Sequence, residues 1–242
     1  MNIIINGSKG RMGKMLDEAI ALGDAHDVVA RVDFNNGEGE LTALDQYDGP
    51  ADVVIDFSNH AATEQVCAYC VKRGLPVVIA TTGQTGEELE LIRAAAKAVP
   101  VFLSANMSIG VALVAELAKR AAAAFPEADI EIIERHHNQK LDVPSGTALL
   151  LAHRIQEVRP QAKLVVGRHE YGKRQKDEIG IHSLRYGNEV GVHEIVIANG
   201  SETVTLRHDA ENRGLFAQGA IAAARFLIGR EAGLYDMRSI VE

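Results

Sequence analysis

The sequence lacks long hydrophobic runs, an excess of basic residues and more than two cysteines. No stretch of about 18 residues is free of charge, so no membrane span is expected. Met1-Asn2 leads straight into apolar Ile3-Ile4-Ile5, without the basic and long apolar segments of a signal peptide. A formal net charge of −8 argues against nucleic-acid binding, which needs a basic face. These absences predict a soluble protein of the reducing cytoplasm, long enough at 242 residues to bury a real core.

The two cysteines, Cys67 and Cys70, have the Cys-x-x-Cys spacing of redox motifs. Both lie in a helical pattern over residues 60–73, where cysteines three residues apart commonly pack against neighbours, and we expect this packing role. No His-Glu-x-x-His motif or further cysteine set is present, so no metal site is predicted.

The first half of the chain alternates short apolar runs with helical patterns. The runs predict strands at residues 2–6, 28–32, 52–57, 76–80 and 101–103. Apolar residues recur at helical spacing from Met12 to Ile20, and again over residues 60–73 and 87–98. Residues 35–49 are polar and turn-rich, and they predict a shortened crossover loop. The alternation predicts an α/β fold, with a parallel sheet covered by helices on both faces.

The second half follows a different pattern. An alanine-rich helix is expected from a cap at Ser108 to about residue 124, where Pro126 helps to end it. A strand over 129–134, a helix over 146–158 and a last helix over about 215–227 are also expected. Three strand-like runs lie between residues 179 and 208, and turn signals such as Asn199-Gly200 separate them. This half is typical of an α+β domain with a mixed or antiparallel sheet.

A glycine-rich loop, Gly7-Ser8-Lys9-Gly10-Arg11-Met12-Gly13, joins the first strand to the first helix. Such glycines let the backbone turn tightly and approach a pyrophosphate, and the helix N-terminus offers free N–H groups. The spacing is Gly-x-x-Gly-x-x-Gly instead of the usual Gly-x-Gly-x-x-Gly, so the prediction depends on context. That context includes Asp33, which ends the second strand 20 residues after Gly13 and can accept hydrogen bonds from ribose hydroxyls. The pattern predicts a dinucleotide site.

Charges around this loop bear on the cofactor. Lys9 and Arg11 can attract phosphate, or they can be ordinary solvated charges. Asp33 should repel a 2′-phosphate and therefore favours NADH, while Arg11 keeps NADPH possible. The alternative for the whole motif is a glycine turn that only packs a helix on a sheet.

The most informative segment runs from Glu131 to Ala148. It contains His136 and His137, then Lys140, and then Pro144-Ser145-Gly146-Thr147, which has the chemistry of a helix start. Ser145 can cap this helix, and backbone N–H groups there can hold a carboxylate. An imidazole and an ammonium group nearby supply a proton donor and an anion partner. We therefore expect reduction of a small anionic molecule, with hydride from the dinucleotide and a proton from protein or solvent.

Simpler interpretations exist for each part of this segment. Paired histidines are often surface residues, Lys140 and Asp142 can form a solvated loop, and Ser145-Gly146-Thr147 can be an ordinary capped helix start. A nucleophilic Ser145 is disfavoured because the Gly-x-Ser-x-Gly context is absent.

This segment resembles the signature of the 4-hydroxy-tetrahydrodipicolinate reductase family. The resemblance rests on Glu134, His137, Lys140, Asp142 and the run from Pro144 to Ala148, with the second histidine at 136. This family, also called the dihydrodipicolinate reductases, belongs to lysine and diaminopimelate biosynthesis. Further segments are similar to the same family: Gly10-Arg11-Met12-Gly13, Ala80-Thr81-Thr82-Gly83, Ser104-Ala105-Asn106-Met107-Ser108, Phe216-Ala217-x-Gly219-Ala220 and Gly233-Leu234-Tyr235-Asp236-Met237. The resemblance therefore spans nearly the whole chain.

The resemblance implies a Rossmann-like dinucleotide domain, residues 1–107 with 214–242, and a substrate-binding and oligomerisation domain, residues 108–213. It implies that His136 donates or accepts a proton, that Lys140 donates one, and that the substrate carboxylates bind His137, Ser145, Gly146 and Thr147. The implied reaction removes the 4-hydroxyl reductively, as water, to give tetrahydrodipicolinate, and the family is a homotetramer. The cofactor, NADH or NADPH, is expected to contact Gly7, Ser8, Lys9, Gly10, Arg11, Met12, Asp33, Ala80, Thr81, Thr82, Ser104, Ala105, Asn106 and Met107.

Two positions depart from the family pattern. Phe34 stands where members often carry a basic residue, which weakens an NADPH preference, and Ala80 stands where glycine is common.

Two other hypotheses for the function remain. Another two-domain amino-acid dehydrogenase does not account for His137-x-x-Lys140 followed by Ser145-Gly146-Thr147, and a dinucleotide sensor would need an output surface such as a basic DNA-binding module. Within the reductase hypothesis, either His136 or Lys140 can deliver the proton.

Overall fold

The chain divides into two units in the computed structural model, which describes residues 1–23, 25–37 and 40–242. The first unit comprises residues 1–108, 214–240 and 242, and the second comprises residues 109–213 and 241. The strands are β1 (Asn2–Asn6), β2 (Asp27–Val32), β3 (Val53–Asp56), β4 (Val77–Ile79), β5 (Pro100–Leu103), β6 (Asp129–His136), β7 (Lys163–Val166), β8 (Glu178–Arg185), β9 (Gly191–Ala198), β10 (Thr203–Ala210) and β11 (Gly233–Tyr235). The α-helices are α1 (Arg11–Ala21), α2 (Thr63–Arg73), α3 (Gly86–Ala95), α4 (Ile109–Ala124), α5 (Gly146–Gln156), α6 (Gly214–Leu227) and α7 (Arg238–Val241).

The sheet of the first unit is parallel throughout, in the order β11-β5-β4-β3-β1-β2. Its central strands are apolar along most of their length, and Ile3 to Ile5 and Val53 to Ile55 are fully buried. Such strands are typical of a parallel sheet that is covered on both faces. β2 pairs with one edge of β1 and β3 with the other, so the strand order reverses at β1. In sheets of this kind, ligands bind at the carboxyl ends of the strands beside such a reversal.

The helices of the first unit confirm the predicted apolar faces. α1 buries Leu16 and Ile20. α2 ends at Gly74, which has a left-handed backbone, and it buries Cys67 and Cys70 as free thiols. Burial raises the pKa of Cys67 to about 11. Packing in the helix therefore accounts for the Cys-x-x-Cys spacing, as expected from the sequence.

The second unit contains a mixed sheet in the order β10-β9-β6-β8-β7. β9 is antiparallel to β10 and β6, whereas β8 is parallel to β6 and β7. One face packs on α4 and α5 through the isoleucines of the strands and the small residues of the alanine-rich α4. The opposite face carries residues that alternate with these, including Ile133, Leu184 and Val196, and Leu184 is 45% exposed. This second face is the less covered side of the sheet.

Some boundaries differ from the sequence predictions. The helices expected over 87–98 and 146–158 end at Ala95 and Gln156, and β6 continues to His136 instead of residue 134. β7 and β11 were not predicted, because each is an edge strand of at most four residues. The expected crossover loop contains a short 3₁₀ turn, Leu44–Gln46, while residues 38 and 39 of it lie outside the described residues. None of the described helices has the length and hydropathy that crossing a membrane requires.

Candidate active site

The glycine loop of the first unit is tightly packed against the sheet. Gly7 has a φ of +82°, and a Cβ there would lie 2.7 Å from the Phe57 backbone. A Cβ on Gly13 would lie 2.1 Å from the Gly7 carbonyl oxygen. Both positions therefore require glycine, and the loop brings the start of α1 close to the end of β1. This close backbone approach is what a bound pyrophosphate needs.

Some N–H groups of the loop donate to other parts of the fold, and others remain available to a ligand. The N–H groups of Gly7 and Ser8 both donate to the Val32 carbonyl oxygen, at 2.8 and 3.1 Å. No side chain of the described residues caps α1, and its first turn has no acidic residue. The first N–H groups of the helix, from Arg11 onward, are consequently the ones that can hold an anion.

Asp33 lies directly after β2 and is only 7% exposed. Its carboxylate accepts hydrogen bonds from the backbone N–H groups of Lys9, at 2.9 Å, and Asn35, at 3.0 Å. Lys9 directs its ammonium away from the loop, to the Glu40 carboxylate at 3.0 Å. The sequence predicted Asp33 as a ribose ligand, and the structure adds that it also orders the glycine loop.

A cavity of about 360 Å³ lies beside this loop. Gly7, Gly10 and Asp33 form one part of its lining, and Phe34, 82% exposed, adds a flat apolar surface. The remaining lining comes from residues 42–44 and from the segment that leads into α2. The volume and the mixture of glycine, carboxylate and apolar groups suit a nucleoside.

A buried carboxylate that the sequence analysis missed, Asp56, ends β3 behind this cavity. It accepts hydrogen bonds from the Asn6 amide at 2.8 Å and the Thr81 hydroxyl at 2.6 Å, and from the hydroxyl and the N–H of Ser58. Burial raises the pKa of Asp56, and these hydrogen bonds act against the rise. The cluster ties together the carboxyl ends of β1, β3 and β4. Its only signal in the sequence is a lone acidic residue at the end of an apolar run.

The predicted cofactor residues all follow carboxyl ends of strands of this sheet. Gly7 to Met12 follow β1, Asp33 follows β2, Ala80 to Thr82 follow β4, and Ser104 to Met107 follow β5. Because the sheet is parallel, these four segments share one edge. Met107 is only 2% exposed and is therefore a buried member of this set. The loop, the free helix start and the cavity fit a dinucleotide.

In the second unit, β6 places Glu134 and His136 on the same face, two residues apart. Glu134 is fully buried, and both of its oxygens accept hydrogen bonds. Oε2 accepts from His136 Nδ1 at 2.6 Å and from Arg185 at 2.8 Å, and Oε1 accepts from Arg185 at 2.7 Å and from the Ser145 N–H at 3.1 Å. These donors hold the pKa of Glu134 far below its usual range, although burial alone would raise it. Glu134 is therefore ionised and joins the imidazole to the helix start.

Ser145 caps α5 as the sequence predicted, since its hydroxyl accepts the Ala148 N–H at 3.2 Å. The same hydroxyl lies 3.0 Å from His193 Nε2, and the His193 ring packs edge-on against His136 with centroids 5.1 Å apart. Burial, and the neighbouring His136, lower the pKa of His193 to about 3, so this imidazole is neutral. His193 and Arg185 come from β9 and β8, and the sequence analysis did not find them.

The other predicted residues lie in the loop after β6 and at the first turn of α5. The Lys140 ammonium contacts the Asp142 carboxylate at 2.8 Å, and the lysine side chain is 22% exposed. His137 helps to line an open cavity of about 340 Å³ with Gln139, Asn188, Val190 and Arg213. Gly146 and Thr147 begin α5. No cluster of three or more potential metal ligands occurs in the part of the chain that the structure describes.

Comparisons with known proteins agree over both units. Two family models match, "Dihydrodipicolinate reductase, N-terminus" over residues 1–107 and "Dihydrodipicolinate reductase, C-terminus" over residues 110–241. A 4-hydroxy-tetrahydrodipicolinate reductase of Caldanaerobacter subterraneus subsp. tengcongensis is 42% identical, over 100% of this chain and 98% of the relative. One from Clostridium novyi is 41% identical, over 99% and 98%. The dipicolinate-bound dihydrodipicolinate reductase from Paenisporosarcina sp. TG-14 aligns with a TM-score of 0.82 at 28% identity, over 99% of both chains.

Proposed function

The chain belongs to the dihydrodipicolinate reductase family, and we infer that it reduces 4-hydroxy-tetrahydrodipicolinate to tetrahydrodipicolinate with loss of water, in the diaminopimelate route to lysine. A nicotinamide dinucleotide is the cofactor and supplies the hydride when bound. In the structure, one observation carries the chemistry: the carboxylate of Glu134 connects an imidazole, His136, to the helix start at Ser145. The family match removes the alternatives of an amino-acid dehydrogenase and a dinucleotide sensor.

We propose that the dicarboxylate substrate binds at the start of α5. The N–H groups of Gly146 and Thr147 lie in the first turn of that helix, where backbone donors and the helix dipole favour an anion. His137 and the Lys140 ammonium are the nearby groups that can take a second carboxylate. The Paenisporosarcina relative was solved with dipicolinate bound, which is a dicarboxylate of this kind.

His136 and Lys140 are the proposed proton donors. Because Nδ1 of His136 faces an ionised carboxylate, Nδ1 carries a hydrogen and Nε2 is the atom left for the substrate. Lys140 must exchange Asp142 for the substrate to act, and the partial exposure of both side chains allows this. Lys140 then protonates the ring after hydride addition, or His136 does so with a proton that its Nε2 has first taken from solvent.

Substitution of Lys140 by alanine tests these roles. We expect kcat to fall by about 10² or more while the Kd for NADH stays within about twofold, because general acids contribute rate and not cofactor affinity. Lys163→Ala removes an exposed lysine from edge strand β7 of the same unit and is the matched control. Unchanged turnover in Lys140→Ala would exclude the role. The loss of NADH absorbance with freshly prepared substrate gives kcat, and a binding titration without substrate gives the Kd for NADH.

NADH is the proposed preferred cofactor. Asp33 places a carboxylate at the cavity wall, and Phe34 puts an apolar side chain where a 2′-phosphate would need a cation. We expect kcat/KM with NADH to equal or exceed that with NADPH. A preference for NADPH by tenfold, about 1.4 kcal/mol, would refute the argument from Asp33.

We also propose that four chains assemble through the less covered face of the second sheet. This face offers Ile133, Leu184 and Val196 beside charged residues, a composition that is typical of an interface. Light scattering should give four times the 26.1 kDa mass of the chain, and Leu184→Glu should lower that mass.

The proposed location is the cytoplasm, in keeping with two buried free thiols.

A further inference from the structure

Four side chains of the second unit form a closed ring of contacts. Glu134 binds the His136 ring through one oxygen and the Ser145 N–H through the other. Ser145 then contacts His193 through its hydroxyl, and His193 packs on His136. The ring links the proposed proton donor to the proposed carboxylate site by direct contacts, at distances between 2.6 and 3.1 Å for its hydrogen bonds.

The strand register explains why the ring closes. Glu134 of β6 lies directly opposite His193 of β9 and beside β8, which ends at Arg185. Residues opposite each other on neighbouring strands have Cβ atoms about 5 Å apart, which is the range of direct side-chain contact. All four members are at most 7% exposed. Their orientation is therefore set by one another and not by solvent.

We propose that Glu134 is a positioning residue for the reduction: its ionised carboxylate fixes the Nδ1–H tautomer of His136 and holds that imidazole and the start of α5 as one rigid unit. The proposal rests on the function inferred above, since it acts through His136 and Ser145. Arg185 serves the same end, because its two N–H groups keep the buried carboxylate ionised.

If Glu134 only stabilised the fold, its substitution would have a different effect. A buried ion pair is often replaceable without loss of the fold, and its removal then costs stability alone. Glutamine at position 134 retains the shape but presents an amide to donors on both sides. One amide orientation sets an N–H group against Ser145 and Arg185, and the other sets it against His136 Nδ1 and Arg185. The second orientation forces the imidazole into the Nε2–H tautomer and withdraws the free nitrogen from the substrate.

Glu134→Gln, compared with Glu116→Gln, tests the proposal. Glu116 is a matched control, since it is a buried glutamate of the same unit that pairs with Arg154 and Arg120. Long-range ¹H–¹⁵N spectra of the histidine rings, with His136 assigned from the spectrum of His136→Gln, report the tautomer without any substrate. We expect His136 as Nδ1–H in the unsubstituted enzyme and in Glu116→Gln, and Nε2–H or a mixture in Glu134→Gln.

Kinetics give the second readout. Glu134→Gln should lower kcat by about 10² with KM for NADH unchanged, as expected when a reacting group is displaced by about 1 Å, whereas Glu116→Gln should retain kcat. An Nε2–H tautomer of His136 in the unsubstituted enzyme would overturn the proposal without any variant. The proposal can therefore be refuted even if Glu134→Gln does not fold. An unaltered tautomer, or equal kcat in the two variants, would also overturn it. Absence of reductase activity in the unsubstituted enzyme would instead contradict the proposed function, while the tautomer measurement would still stand.

Discussion

Gly191 begins β9 next to the His136 ring, and its lack of a side chain makes room for the imidazole. A Cβ at this position would lie 2.9 Å from His136 Nε2 and 3.3 Å from Cδ2. Favourable contacts between such atoms are about 3.5–4.0 Å, so the ring must move by roughly 0.5–1 Å. It cannot move freely, because Nδ1 is bound to Glu134 and one ring edge packs on His193. Gly191→Ala therefore displaces the atom that we propose faces the substrate.

We expect Gly191→Ala to lower kcat by about 10- to 100-fold, since a misplacement of about 1 Å can cost 10² in rate. Overpacking should also lower the free energy of unfolding by about 1–3 kcal/mol. Gly86→Ala at the start of α3 is the control, because no atom lies within 4 Å of its Cβ, and it should leave kcat unaltered. Steady-state kinetics with NADH and urea unfolding measure both quantities. If Gly191→Ala were destabilised but kept the parental kcat, His136 Nε2 would not be the reacting atom.

Three further predictions concern charge and thiols. Asp142→Asn should lower the KM for substrate by up to about fivefold at unchanged kcat, since Lys140 is released from an exposed pair worth about 0.2–1 kcal/mol. Burial lowers the pKa of His193 to about 3 from 6.5, so the unfolded chain binds the proton first and stability falls as the pH drops below 6.5. Urea midpoints should show a loss of about 2 kcal/mol between pH 6.5 and about pH 5, and His193→Gln should lose less. Cys67 and Cys70 should resist a thiol reagent in the folded protein and react once it is unfolded, because burial raises the pKa of both.

Elements with strong patterns were predictable from the sequence. The apolar runs of the first half gave five strands of the parallel sheet within about two residues, because a fully buried strand must be apolar along its length. α1 and α2 were predicted from helical spacing for a similar reason. β7 and β11 were missed, since a three- or four-residue edge strand gains its ladder from a partner that local sequence does not reveal.

The residues of the candidate site also separate into those that the sequence predicted and those that it did not. His136, Lys140 and Ser145 stand within ten residues of one another, and their chemistry was readable as a segment. Arg185 and His193 reach the site from β8 and β9 only because of strand register, which a single sequence does not specify. Glu134 was visible as part of the motif, but its role depends on those two partners. The sequence thus predicted candidate reacting groups, and the structure shows the contacts that orient His136 and Ser145.

Two buried carboxylates, one in each unit, show how partners decide the charge of a site. Asp56 and Glu134 are 2% and 0% exposed, and each accepts four hydrogen bonds. The donors to Asp56 are neutral amide, hydroxyl and peptide groups, so desolvation prevails and its pKa rises. Glu134 faces the guanidinium of Arg185 and the ring of His136, and its pKa falls. Burial raises the pKa of both carboxylates, and the charged donor at Glu134 reverses that rise.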